Sequence, residues 1–127
     1  MGEGLKRARA AARQTRTAPK ALTDKQLIRI ASEFREGILD GDPPHRMCFV
    51  VSAPLAGLLR HYGQDAETVE GDLGHMNHVW IVLPDGRVLD PTADQFNDTR
   101  AEPLPPVYLG PALDIHPAPL DAPPRPR

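Results

Sequence analysis

The sequence predicts an α+β domain, with helices packed on a small antiparallel sheet. Two apolar segments with helical spacing come first, Thr23–Leu39 and His45–Tyr62. A β-hairpin follows within Asn77–Phe96. Strands joined by short turns pair antiparallel. A chain of 127 residues holds one such domain. It is read over 21–110, between a basic flexible arm at 1–20 and a Pro-rich disordered tail at 111–127.

Apolar residues make up 40% of the chain and charged residues 25%, the balance of a soluble globular protein. The apolar runs are too short to span a bilayer, and the basic start lacks an apolar signal core. Together with a single cysteine, this predicts a cytoplasmic protein without a membrane partner. Residues 1–20 carry six Lys or Arg against Glu3, a net charge of +5, and 111–127 carry none. With −2 overall, residues 21–110 carry −7, which argues against nucleic acid binding by the domain itself. The basic arm reads as a solvated tail with no assigned partner.

Thr23 with Gln26 three residues on is a capping-box pattern. Leu27, Ile28, Ile30, Ala31, Phe34 and Ile38 form the apolar stripe of a helix that Gly41-Asp42-Pro43-Pro44 stops. In the second segment Cys48, Phe49, Val50, Val51, Leu55, Leu58, Leu59 and Tyr62 give an apolar face, and Gly63 closes it. Pro54 leaves two starts open: a helix from Cys48 kinked at the proline, or one from Ser52 with Pro54 in its first turn. Asp65–Asp72 reads as an edge strand around Thr68 and Val69.

In the hairpin, Val79–Leu83 and Arg87–Leu89 flank the turn Pro84-Asp85-Gly86. With Gly86 left-handed, Leu83 lies opposite Arg87 and Trp80 opposite Asp90. His78 and Asp90 then share a face as diagonal neighbours, roughly 7–8 Å apart at the backbone. Pro91–Phe96 leaves the sheet as a turn anchored by Phe96, and Leu104–Leu109 returns as a short extended piece. Six prolines from Pro111 onward read as the polyproline-like tail.

The only cysteine, Cys48, can act as a nucleophile if a base takes its proton. His78 suits that role, and Asp90 would orient it by accepting the Nδ1–H bond. A thioester formed on an amide carbon needs oxyanion donors. The Cys48 backbone N–H is the first. Gln26, Gln95 and the backbone of the Asp42–Met47 loop are candidates for the second. Trp80 is expected in the core and as a wall of the site. Replacing Asp90 with Asn is expected to keep the fold and lower the rate.

Several motifs resemble, in this order, the papain-like cysteine superfamily. They are Cys48, the helix end Leu58-Leu59-Arg60-His61-Tyr62-Gly63, Val69 and Gly71, His78-Val79-Trp80-Ile81, and Leu89-Asp90-Pro91-Thr92-Ala93-Asp94-Gln95-Phe96. Within it they are most similar to the small bacterial transglutaminase-like and protein-glutamine-deamidase-like branch. The resemblance spans residues 45–96. It implies a Cys-headed helix on an antiparallel sheet and the triad Cys48, His78, Asp90. It also implies acyl transfer on a glutamine or peptide amide of a protein or peptide substrate, with no cofactor. Two departures are Pro54 inside the Cys helix and no glutamine shortly before Cys48. With a small core, they favour deamidation, transglutamination or amide hydrolysis over general proteolysis.

Two further readings compete. His75 and His78, with His45, His61 and Asp90, could ligate a metal, but an i,i+3 pair entering a strand points its rings apart, so no metal is expected. The other is a catalytically inactive module of the same fold that docks a protein partner.

Overall fold

The computed structural model describes residues 21–120. The basic arm at 1–20, and residues 121–127 of the expected tail, lie outside the described residues. Among those described, three helices and a four-stranded antiparallel sheet make an α+β fold. They follow as α1 (Asp24–Leu39), α2 (Cys48–His61), β1 (Glu67–Asp72), β2 (Asn77–Val82), β3 (Val88–Asp90), a 3-10 helix (Ala93–Thr99) and β4 (Tyr108–Gly110). The strands lie in sequence order. No described helix is long and apolar enough to cross a membrane.

The capping box of α1 is formed. Gln26 N–H donates to Thr23 Oγ1 at 3.1 Å, and Thr23 N–H donates to Gln26 Oε1 at 2.8 Å. The buried face is Leu27, Ala31, Arg35 and Leu39, one residue per turn. Ile28 and Ile38, expected in the stripe, stay partly exposed, because the helix is rotated to bury Arg35 instead.

α2 begins at Cys48 and runs through Pro54, the first of the two starts. Pro54 lies on the exposed side, and the carbonyl it deprives of a partner belongs to Val50, which also faces water. Phe49, Val50 and Tyr62, expected on the apolar face, are exposed too. The helix closes at Gly63 (φ 83°), where Gly63 N–H reaches Arg60 O and Gln64 N–H reaches Leu59 O, each at 2.9 Å.

The hairpin takes the expected register. Leu83 N–H donates to Arg87 O and Gly86 N–H to Leu83 O, both at 2.9 Å, with Gly86 at φ 87°. Ile81 then pairs with Leu89 and Val82 with Val88. Successive residues of a strand face opposite sides. Ile81, Leu83 and Leu89 meet Leu27, Ala31, Leu55, Ala56 and Leu59 of the helices. His78, Trp80 and Asp90 face the other way, where a smaller cluster gathers Ala93, Phe96, Ile115 and Tyr108.

Residues 111–120 are not the tail their prolines predict. They form a strap over this second face: Pro119 bridges Gly71, Leu120 N–H donates to Glu70 O at 2.8 Å, and Ile115 and His116 are buried. Proline removes only its own N–H. The strap is held by the donors that remain, at Leu113, His116 and Leu120.

Candidate active site

Proline chemistry explains how a helix-borne cysteine reaches a sheet-borne histidine. In the hairpin register, Pro91 falls opposite Val79. Pro91 has no N–H, and its carbonyl is taken by Arg35 Nη1 at 3.0 Å, so the β2–β3 ladder stops there. The backbone groups of Val79 point to that vacated side, as those of Leu83 do. The N-terminal end of α2 fills the gap. Ser52 Oγ donates to Val79 O at 3.3 Å, and the Val79 N–H helps to lower the pKa of the Cys48 thiol. Met47, the N-cap, makes no side-chain cap bond, so the N-terminal N–H groups of α2 are not capped by a side chain. Arg46, two residues before the thiol, sits in the left-handed region (φ 61°), a conformation costly for a residue with a Cβ.

His78 and Asp90 are fully buried and joined, Nε2 to Oδ2, at 2.7 Å. The expected face and contact are present, but the ring nitrogen differs: Asp90 takes Nε2, not Nδ1. Nδ1 is then the nitrogen free of the carboxylate; Gln95 Nε2 lies 3.4 Å from it, and Cys48 is the ring's other ionisable neighbour. A second histidine absent from the sequence reading, His116, meets the same Asp90 Oδ2 through its Nε2 at 2.8 Å. Asp90 Oδ1 accepts the Thr92 N–H at 3.0 Å. The sign of His116 in the sequence is the pair of apolar residues beside it, Leu113 and Ile115, which a solvated polyproline tail has no reason to carry.

These contacts set the charges. Burial alone would raise the Cys48 thiol, but hydrogen bonding to His78, the Val79 and Phe49 N–H groups and the His78 charge hold it below its usual value. Burial alone would lower His78, but Asp90 and Cys48 outweigh it and push the imidazole up to about 9. Burial likewise disfavours the Asp90 carboxylate, yet the N–H groups of His116 and His78 keep it below the usual carboxylate value. A thiolate–imidazolium pair is the state these directions favour.

Of the oxyanion candidates, Gln26 is excluded. It lies in the first turn of α1, which starts at the hairpin tip, where Asp24 binds Arg87 at 2.9 Å. His78 lies five residues down the strand from Leu83, roughly 17 Å away at strand rise. Gln95 is at the site: its Nε2 donates to Thr92 Oγ1 at 3.0 Å and lies 3.4 Å from His78 Nδ1, and its Oε1 accepts the Arg46 N–H at 3.3 Å. Trp80 is buried and stacks on His78 with ring centroids 5.5 Å apart, so it is both core and wall. Phe96 meets the same ring edge-on at 4.8 Å.

His45, His61 and His75 are exposed and do not join His78. Among the described residues, the group that could span a cation is instead His78, Asp90 and His116, whose ligand atoms lie within 4.8 Å of one another. The donor set does not fit one. Leu113 N–H donates to His116 Nδ1 at 3.1 Å, which requires a lone pair there and puts the ring proton on Nε2. The nitrogen facing Asp90 is therefore an N–H donor, whereas a ligating histidine needs its lone pair there.

Gln95 and Phe96, both against His78, also line a cleft of about 230 Å³ with His45, Arg46, His75 and Met76. A larger cavity, about 390 Å³, lies at the hairpin tip between Arg60, Glu67 and Pro84, away from the thiol. No family model matches the chain, and no curated protein or solved structure matches it.

Proposed function

We propose that this chain is a Cys-His-Asp acyl-transfer enzyme with a papain-like, transglutaminase-like core. Its substrate is a carboxamide or peptide amide of a protein or peptide. The reading is carried by one imidazole: His78 has Nε2 on a buried carboxylate at 2.7 Å, and the Cys48 thiol, at a helix N-terminus, is the ring's other ionisable neighbour. The Cys48 thiolate attacks the carbonyl carbon, forming a C–S bond. The oxyanion faces the N–H groups of the first turn of α2. As the C–N bond breaks, the His78 imidazolium gives its Nδ1 proton to the departing ammonia or amine. Water or a second amine then attacks the thioester, His78 takes its proton, and the thiolate leaves. The small cleft beside His78 suits a side-chain carboxamide better than an extended peptide. A free thiol as the only cysteine suits a reducing cytoplasm.

A non-catalytic docking module is the second reading. It is favoured by the burial of both Cys48 (6% exposed) and His78, with Phe49 (64%) and Val50 (46%) exposed beside them. Iodoacetamide alkylation of Cys48, followed by intact mass from about pH 5 to 9, separates the two. The enzyme predicts fast labelling below about pH 7 that collapses in His78→Ala. Labelling that rises only near the free-thiol value of about 8.5 and ignores His78 would overturn it.

A further inference from the structure

We infer that His116 is a positioning residue for the His78–Asp90 pair, donating its Nε2 hydrogen to the carboxylate oxygen that His78 also uses; this rests on the acyl-transfer reading above. The direction of that bond follows from the backbone. A peptide N–H can only donate, so the Leu113 N–H at 3.1 Å makes His116 Nδ1 the acceptor and Nε2 the donor. That donor lies 2.8 Å from Asp90 Oδ2, beside the His78 donor at 2.7 Å. With Thr92 N–H on Oδ1, both oxygens are held and the carboxylate cannot rotate away from His78.

The ring itself is fixed. His116 stacks on Tyr108 with centroids 5.9 Å apart and packs against Trp80 at 5.2 Å. The strap that carries it is tied to β1 at Gly71 and Glu70. The ionisable groups around it are Asp90, His78 and Tyr108, with Cys48 beyond His78. Because two N–H groups share one oxygen, His116 takes up part of the charge that would otherwise stabilise the His78 imidazolium. Without that donor, His78 should hold its proton more tightly.

Nitrogen-detected imidazole NMR of the full chain tests this in wild type, His116→Phe and His116→Gln. Phenylalanine keeps a ring against Trp80 and Tyr108 without a donor, and glutamine keeps an N–H donor. The wild-type spectrum should show His116 as the Nε2–H tautomer, a result that needs no variant to fold. The His78 midpoint should rise by about half a pH unit or more in His116→Phe and return toward wild type in His116→Gln. An Nδ1–H tautomer for His116, or an unmoved His78 midpoint in a natively folded His116→Phe, would overturn the inference. Paired with the alkylation assay, the failures separate. A reactive thiol with an unmoved midpoint sinks the role of His116 alone. An inert thiol with a midpoint that follows residue 116 sinks the acyl-transfer reading, and with it the catalytic meaning of His116.

Discussion

Arg35 and Asp94 form a two-pronged ion pair, Nη1 to Oδ1 at 2.6 Å and Nη2 to Oδ2 at 2.7 Å, which ties α1 to the turn after Asp90. The same Nη1 reaches the carbonyls of Pro91 and Pro106 at 3.0 and 2.9 Å. One guanidinium thus holds the segment that ends the β2–β3 ladder and opens the slot for Cys48. Arg35→Met leaves Asp94 and two carbonyls without their donor. It should cost about 3 kcal/mol, read as a lower urea midpoint with an unchanged slope. Arg35→Lys should recover only part, because an ammonium cannot fork. A loss below about 1 kcal/mol in Arg35→Met would mean that water replaces the guanidinium at little cost.

Gly71 is where Trp80 crosses β1. A Cβ there would lie 2.7 Å from Trp80 Cη2 and 2.8 Å from Pro117 Cγ, so either the indole or the strap must move. Gly71→Ala should therefore destabilise by about 1–3 kcal/mol and shift the emission of Trp80, the chain's only tryptophan. Since Trp80 stacks on His78, the same variant should also slow alkylation of Cys48 below neutral pH. Unchanged emission and stability would show that the strap yields freely.

What was legible in the sequence is what short-range chemistry dictates. Pro84-Asp85-Gly86 determines the hairpin register, and that register brings His78 and Asp90 to one face. Thr23 and Gln26 cap α1 from three residues apart. What was not legible depends on distant partners. Arg35 looks like a surface residue of a helix until Asp94, 59 residues on, is placed beside it. His116 reaches Asp90 across 26 residues of chain, through a strap whose prolines suggest solvent. The choice of Nε2 over Nδ1 on His78 is likewise a matter of tertiary approach. The exposure of Phe49 and Val50 depends on which side of α2 meets the sheet.

Trp80 also reports the charge of its neighbour. A protonated imidazole against an indole face quenches its emission more than a neutral one. Asp90 and Cys48 push His78 up to about 9, against their opponent, burial. His78 should therefore stay protonated through neutral pH, and emission should rise as pH passes about 9 rather than the ordinary histidine value of about 6.5. The step should vanish in His78→Gln. In His116→Phe it should survive, although His116 also touches the indole. A single step near the ordinary value would mean that Asp90 and Cys48 do not hold the His78 proton.

From the sequence, Asp90→Asn is a near-isosteric change expected to spare the fold, but the donors around Asp90 alter that expectation. Three N–H groups converge on the carboxylate: His78 Nε2, His116 Nε2 and the Thr92 amide. An asparagine must turn its own NH₂ toward one side. Turned toward Thr92, it meets a backbone N–H. Turned toward the histidines, it needs lone pairs on both Nε2 atoms, and His116 cannot supply one while Leu113 N–H occupies Nδ1. His78 can, but only by moving its proton to Nδ1, where it can no longer accept the proton of Cys48. Asp90→Asn should therefore lose about 1–3 kcal/mol to an unsatisfied buried donor and about 10³–10⁴-fold in rate to the wrong tautomer. Removing one converging donor should relieve the clash. Asp90→Asn combined with His116→Phe should be more stable than the sum of the two single losses, by about 1 kcal/mol or more in a double-mutant cycle. Strict additivity would mean that the two side chains do not meet as described.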